Sequence, residues 1–181
     1  MLKIFKHLII FLFVSLISLS VNACIVGDDG LNKQDNWRWD RKSQHLIFGG
    51  NSGAVSPAGG KPDFRGSANY ILYYVPNGCR YKGKGQDNWR WDRKSQNLIF
   101  GGNSNAISPA GGKPNFRGSA NYVLFSARYG VVQGPLKKYQ TGWKWDRKSQ
   151  NLIFSNNSGA ISPAGGKPNF RGSANYALAY K

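Results

Sequence analysis

The sequence predicts an all-β protein in which three tandem repeats of about 52 residues close into one pseudo-threefold body. Three observations predict it. The segment running from Gln34 to Tyr70 returns at 86–122 with four changes (His45 to Asn97, Gly53 to Asn105, Val55 to Ile107, Asp63 to Asn115), and a third copy starts at Trp143. The first Trp of each copy stands at 37, 89 and 143, a spacing of 52 and then 54 residues. Apolar residues alternate or form short runs between Gly-, Pro- and Asn-rich turns, with no helical stripe of useful length.

Each element of the repeat follows in order. Trp37-Arg38-Trp39-Asp40 alternates with period two, which sends both indoles to one face of a strand and the charges to the other. Gln44 to Phe48 reads as a short apolar strand. Asn51-Ser52-Gly53 and the run from Pro57 to Pro62 carry turn chemistry. Phe64 to Tyr74 then reads as a longer strand, with Phe64, Gly66, Ala68, Tyr70 and Leu72 facing one way and Arg65, Ser67 and Asn69 the other. Three or four strands per copy give about ten to twelve strands. One copy alone cannot bury its apolar face, and closure hides strand edges that otherwise promote aggregation. A β-trefoil, a barrel and a three-sheet prism all fit.

The ends and linkers divide the chain. Lys3 and Lys6 precede an uncharged apolar run from Leu8 to Leu19, and Val21-Asn22-Ala23 presents small or compact residues where a signal peptidase cuts. Residues 1–23 therefore read as a signal peptide, too short for a comfortable membrane span. An N-terminal linker at 24–33 follows, then repeat 1 at 34–85, repeat 2 at 86–138 and repeat 3 at 139–181, in one compact domain over 34–181. Two fates stand open for Cys24. It forms a disulfide with Cys79, the only other cysteine, in an oxidising compartment, or it carries lipid as the first residue of a bacterial lipoprotein. Secreted, periplasmic and envelope-attached locations all agree with these signals.

The formal charge is +17, and removing Lys3 and Lys6 lowers it to +15. A surface this basic attracts acidic polysaccharide, lipopolysaccharide or an anionic membrane surface, more weakly as salt rises; nucleic acid is not the expected partner. All eight acids are Asp.

Catalysis finds little support. Beyond the leader the one histidine is His45, whose counterparts are Asn97 and Asn151. Two distant cysteines do not make a zinc site, and the third copy holds Asp146 alone where a glycosidase needs two carboxylates. No enzyme, metal or cofactor is expected. Binding chemistry is abundant. The linkers at 71–85 and 123–142 differ from each other, yet the polar residues of the repeats have stayed as uniform as the apolar ones. Core packing constrains apolar side chains and tolerates change at exposed polar ones. The expected ligand-binding set is therefore Trp37, Asp40, Arg41, Gln44, Arg65 and Asn69. Its counterparts are Trp89, Asp92, Arg93, Gln96, Arg117 and Asn121, and then Trp143, Asp146, Arg147, Gln150, Arg171 and Asn175. Aromatic faces with planar polar groups suit sugars, and three sites engage a multivalent glycan together. The expectation is a lectin-like glycan binder, with a basic polyanion- or envelope-binding effector as the alternative.

The repeat resembles that of prokaryotic mannan-binding lectins of the Oscillatoria agardhii agglutinin type. The likeness lies in Trp89, Arg93 and the run Gln96-Asn97-Leu98-Ile99, then Ser104, Gly111-Gly112-Lys113, Gly118 and Tyr122, over about 34 residues of each copy. The segment from Asn115 to Asn121 also resembles cyanovirin-type repeats. The first family's Trp-Gly-Gly opening and its glycine- and glutamate-rich segment after the Tyr are missing. Those build its sugar sites, so the resemblance implies a lectin and transfers no binding residue.

Overall fold

The computed structural model describes residues 24–128, 131–132 and 134–181; the signal peptide read at 1–23 lies outside them. It is all-β, with no helix among the described residues and twelve strands. Ten of them form one nearly closed, barrel-like sheet.

Each repeat builds the same three-stranded unit. In repeat 1, β2 (Asn32–Trp39) pairs antiparallel with the short β3 (Leu46–Phe48) on one side and with β4 (Tyr70–Val75) on the other. In repeat 2, β6 (Gln86–Trp91) lies between β7 (Leu98–Phe100) and β8 (Asn121–Arg128). In repeat 3, β10 (Tyr139–Trp145) lies between β11 (Leu152–Phe154) and β12 (Tyr176–Tyr180). The last strands join the units. The end of β4 pairs with the start of β8, the middle of β8 with the start of β12, and the end of β12 with the start of β4. The short strands join them a second time, because Phe48 N donates to Gln96 O, Phe100 N to Gln150 O and Phe154 N to Gln44 O, each at 2.8 Å.

The first strand of every unit is bulged, between Gln34 and Trp37, Gln86 and Trp89, and Gln140 and Trp143. The bulge carries a left-handed residue: Asn36 at φ 64, Asn88 at φ 66 and Gly142 at φ 94, the residue types that tolerate it. The amide nitrogens freed there are taken up by side chains. Asn69 Oδ1 accepts from Asn36 N, Asn121 Oδ1 from Asn88 N and Asn175 Oδ1 from Gly142 N, at 2.7–2.8 Å.

The strand expected from Phe64 to Tyr74 is shorter than its alternation suggested. Residues 64–69 form a turn around Gly66 at φ 76, and the strand begins at Tyr70. Ser67 does not share a strand face with Arg65; its Oγ accepts the Trp39 amide at 2.7 Å. The segment 24–33 contributes β1 (Cys24–Val26), which pairs in parallel with β5 (Cys79–Tyr81), and the Cys24 and Cys79 sulfurs are bonded.

Trp37, Trp89 and Trp143 fill the interior at 0% exposure, with Leu46, Leu72 and their counterparts around them. Each indole removes roughly 200 Å² from water. At about 25 cal/mol per Å² that stabilises the fold by at most ~5 kcal/mol apiece. A smaller cluster under β1 and β5 gathers Leu31, Tyr73, Val75, Val123 and Phe125.

Candidate functional site

The residues expected to bind a ligand divide sharply by burial. Asp40, Asp92 and Asp146 are 0% exposed. Asp40 Oδ2 accepts the Ser43 and Ser56 hydroxyls at 2.5 and 2.6 Å, and its Oδ1 accepts the amides of Asp63 at 2.8 Å and Lys42 at 3.2 Å. Asp92 and Asp146 hold the same four partners in their own loops. Each carboxyl staples the long loop back onto the strand end and has no direction left for a ligand.

The other expected residues are also occupied, apart from the arginines of repeats 2 and 3. Trp37, Trp89 and Trp143 are core. Gln44, Gln96 and Gln150 are buried; Gln96 Oε1 accepts Trp91 Nε1 at 3.0 Å and Asn51 Nδ2 at 2.7 Å, while its Nε2 donates to Arg93 O at 2.8 Å. Gln150 and Gln44 repeat that pattern with Trp145 and Asn103, and with Trp39 and Asn157. These glutamines tie each repeat to its neighbour. Asn69, Asn121 and Asn175 serve the bulges. Arg41, Arg65, Arg93, Arg117, Arg147 and Arg171 remain exposed.

His45 lies fully inside, beside Asn97. Its Nε2 faces the Ile161 carbonyl at 2.8 Å, as Asn97 Nδ2 faces Val55 O at 3.0 Å, and its Nδ1 lies 3.1 Å from Asn97 Oδ1. Burial pushes its pKa down to about 4, outweighing the opposite pull of the Ile161 carbonyl, Asp40, Asn97 and Asp146. A neutral ring can donate to only one of the Ile161 and Asn97 oxygens; the shorter contact places the proton on Nε2 and leaves Nδ1 facing an acceptor.

What the surface offers instead lies between repeats. At the junction of repeats 1 and 2 a hollow of about 410 Å³ opens. Repeat 1 lines it with Gln34, Phe48, Asn51, Tyr74 and Asn77, and repeat 2 with Trp91, the Gly118–Ala120 turn and Tyr122. The junction of repeats 2 and 3 has the same plan with Gln86, Phe100, Asn103, Trp145, Gly172 and Tyr176 around about 120 Å³. A second hollow of about 280 Å³ adjoins it along Lys84, Ser126 and Ala174. The counterparts where repeat 3 meets repeat 1 are also brought together: Tyr70 donates to Gln140, Asn157 Nδ2 to Gln44 Oε1 at 2.8 Å, and the Trp39 and Phe154 rings meet edge-on at 6.5 Å.

The chemistry of these grooves is consistent. Trp39, Trp91 and Trp145 are half-buried, with their Nε1 groups fixed by the glutamines. The tyrosine hydroxyls stay protonated, since burial pushes Tyr70 and Tyr176 up to about 12 and Tyr122 higher. They donate to Gln140, Gln86 and Gln34. Gln34 Oε1 takes that bond and one from Trp37 Nε1 at 3.2 Å; among the described residues its Nε2 and the Oδ1 of Asn51 engage no protein group. One donor and one acceptor thus stand beside an indole and a phenyl ring. Neither the 410 Å³ groove nor the 120 Å³ one is lined by a carboxylate or an imidazole.

Sequence reasoning chose the first Trp of each pair and missed the second. It also passed over Gln34, Gln86 and Gln140 and Asn51, Asn103 and Asn157, which recur as uniformly as the residues it chose. No protein-family model matches the chain, and no curated protein and no solved structure matches it.

Proposed function

We propose that the protein is an exported glycan-binding protein whose binding sites are the grooves between neighbouring repeats, with the three copies set around a pseudo-threefold axis. One observation carries the reading: at the open junctions a half-buried indole stands beside a phenyl ring, with amide and phenol groups holding spare hydrogen-bonding capacity at its edge. An indole covers the apolar face of a pyranose, and a carboxamide pairs with a hydroxyl as donor or acceptor. Rigid aromatic walls held by Gln96 and Gln150 lose little entropy on binding.

The axis is supported by the cyclic pairing of β4, β8 and β12 and by the matching cycle of bonds from Phe48, Phe100 and Phe154. Grooves repeated on one rigid body favour a multivalent surface over a single sugar. Binding rather than catalysis agrees with groove linings that lack an acid–base pair. Export agrees with the Cys24–Cys79 bond, which suits an oxidising compartment and leaves the Cys24 sulfur without a bond for lipid.

A glycan array read at about 50 and 300 mM salt tests the proposal, because attraction between exposed charges is largely screened at the higher value. Selective binding that survives high salt and is lost in Trp91→Ala and Trp145→Ala is the expected result. A folded sample that binds no glycan overturns it. Indiscriminate binding that disappears with salt instead supports the polyanion reading, which the exposed Arg and Lys side chains favour.

A further inference from the structure

The three Arg-bearing loops differ at one position. In repeat 1, Asp63 lies between two guanidinium groups. Arg41 Nε donates to its Oδ2 at 3.1 Å and Arg41 Nη2 lies 3.0 Å from the same oxygen. Arg65 binds it in a fork, Nε to Oδ1 at 2.9 Å and Nη2 to Oδ2 at 2.8 Å. These bonds, those from Arg65 first, hold the Asp63 carboxyl well below the usual carboxylate range. In repeats 2 and 3 the residue is Asn115 or Asn169.

The backbone under the two arginines does not change. Arg93 N donates to Asn115 O and Arg147 N to Asn169 O at 2.8 Å, as Arg41 N does to Asp63 O. Asn115 N and Asn169 N reach Asp92 Oδ1 and Asp146 Oδ1 at 2.8 Å, as Asp63 N reaches Asp40 Oδ1. Their side-chain oxygens accept the amides of Arg117 and Arg171 at 3.0 Å, the place of Asp63 Oδ1 before Arg65. Two exposed guanidinium groups therefore rise from the same anchored frame with a neutral amide between them. Among the described residues no carboxylate lies within ion-pair distance of Arg93, Arg117, Arg147 or Arg171.

We propose that Asp63 is an internal stand-in for the ligand, and that the Arg93/Arg117 and Arg147/Arg171 pairs bind the carboxylate of a hexuronate unit in an acidic polysaccharide. The occupant in repeat 1 is a carboxylate, and a forked guanidinium matches its two coplanar oxygens. The place also fits. Gly118 and Ser119, next to Arg117, line the groove between repeats 1 and 2, and Gly172, next to Arg171, lines the groove between repeats 2 and 3. A sugar ring resting on Trp91 or Trp145 thus lies against the turn that carries Arg117 or Arg171. The counterpart beside Trp39 carries Arg65, already paired to Asp63. The proposal rests on the grooves as the glycan site and names the class of glycan they take.

The loops supply their own variants, since each exchange restores a residue that a sister repeat already holds. Oligogalacturonate and the same oligomer with its carboxyls methyl-esterified are titrated calorimetrically into the full chain at about 150 mM salt, where the Debye length is ≈ 8 Å. The free acid is expected to bind at least about tenfold tighter than the ester, in keeping with charge-assisted forked bonds. N115D/N169D removes that advantage and leaves the ester's affinity unchanged. D63N gains a further acid-selective site. Trp91→Ala weakens both ligands.

Acid and ester binding alike overturns the arginine sites and leaves the grooves standing. Acid selectivity that persists in N115D/N169D overturns them too, as does an equal loss in K82Q/K137Q, which removes two exposed positive charges elsewhere. Failure of both oligomers to bind overturns the hexuronate assignment, whereas acid-selective binding untouched by Trp91→Ala supports the arginine sites and sinks the grooves. A sulfated polysaccharide that binds N115D/N169D as tightly as the parent chain, with oligogalacturonate inert, overturns the assignment.

Discussion

The loop interior around Asp92 and the groove beside Trp91 are neighbours in the chain and opposites in use. Both are built from side chains that recur through the copies, Asp and Ser in the loop and Gln, Asn and Trp in the groove. In the loop every bond of the carboxyl has a protein partner and nothing reaches solvent. In the groove the polar atoms of Gln34 and Asn51 outnumber their partners, and the rings stop half-way out. Repetition of a polar residue therefore marks demanding geometry as readily as a ligand. Burial tells the two apart.

The largest effect expected on the loop side comes from Asp92→Ala. It strips the acceptor from two buried hydroxyls, Ser95 and Ser108, and from the amides of Lys94 and Asn115. Each buried group left unsatisfied costs about 1–3 kcal/mol, with incomplete additivity, so the loss is about 3–5 kcal/mol in urea unfolding. Affinity of the grooves for a neutral glycan, per folded molecule, stays as it was. A loss below about 1 kcal/mol would remove the distinction between loop and groove.

His45 gives the next effect, and it belongs to the interior. Unfolded, the imidazole titrates near 6.5; folded, it does so only at about 4. Between those values the unfolded chain binds more protons, so stability present above pH 6.5 is lost as pH falls toward 4. The loss amounts to about 3 kcal/mol at 1.36 kcal/mol per unit. His45→Asn puts in place the residue of the sister repeats and flattens that part of the stability–pH curve. Equal slopes in parent and variant would contradict a buried neutral ring.

The architecture was legible because its signals are local and threefold redundant. Short apolar runs, turn residues and the repeat length state an all-β body directly, and the LIF run reads as a strand in every copy. The 64–69 turn was not legible. Its alternation imitates a strand, and only the left-handed Gly66 and the bond from Trp39 N to Ser67 Oγ reveal a turn, both being features of the folded backbone. The site was half legible. The arginines placed in the expected set are exposed, yet Asp40 and Asn69 do their work through Asp63 and Asn36, 23 and 33 residues away in the same repeat, and Gln44 through Asn157, 113 residues away in another. The groove escaped for the same reason, since it joins Phe48 and Asn51 of one copy to Trp91 and Tyr122 of the next.

On the groove side, Trp91→Ala is expected to lower glycan affinity at the first junction about tenfold, or about 1.4 kcal/mol, in the range of aromatic anchors at binding sites. Trp37→Phe tests the contrast from the other direction. It perturbs a fully buried ring, so it lowers stability in urea and changes affinity far less than Trp91→Ala does, through the one bond that its Nε1 gives Gln34. If instead Trp37→Phe changes affinity while Trp91→Ala does not, the assignment of inner and outer indoles is reversed.

The smallest effect concerns the difference between two grooves. The first is walled by Tyr74, which meets Tyr122 edge-on at 6.0 Å, and the corresponding register position in repeat 2 is Ser126, opposite Tyr176. The missing ring leaves the second junction open toward Lys84, where its hollow runs on along Ser126 and Ala174. Ser126→Tyr restores a wall at a strand position that already holds a tyrosine in repeats 1 and 3, at Tyr74 and Tyr180. One added aromatic contact contributes about 0.5–1.5 kcal/mol, so affinity at the second groove should rise roughly two- to tenfold, with the first unchanged. Side-chain resonances of Trp91 and Trp145, followed separately during a glycan titration by NMR, read the two grooves apart. Should Trp145 respond no more steeply in Ser126→Tyr, the wall does not set affinity, and the indole and the amides beside it account for binding alone.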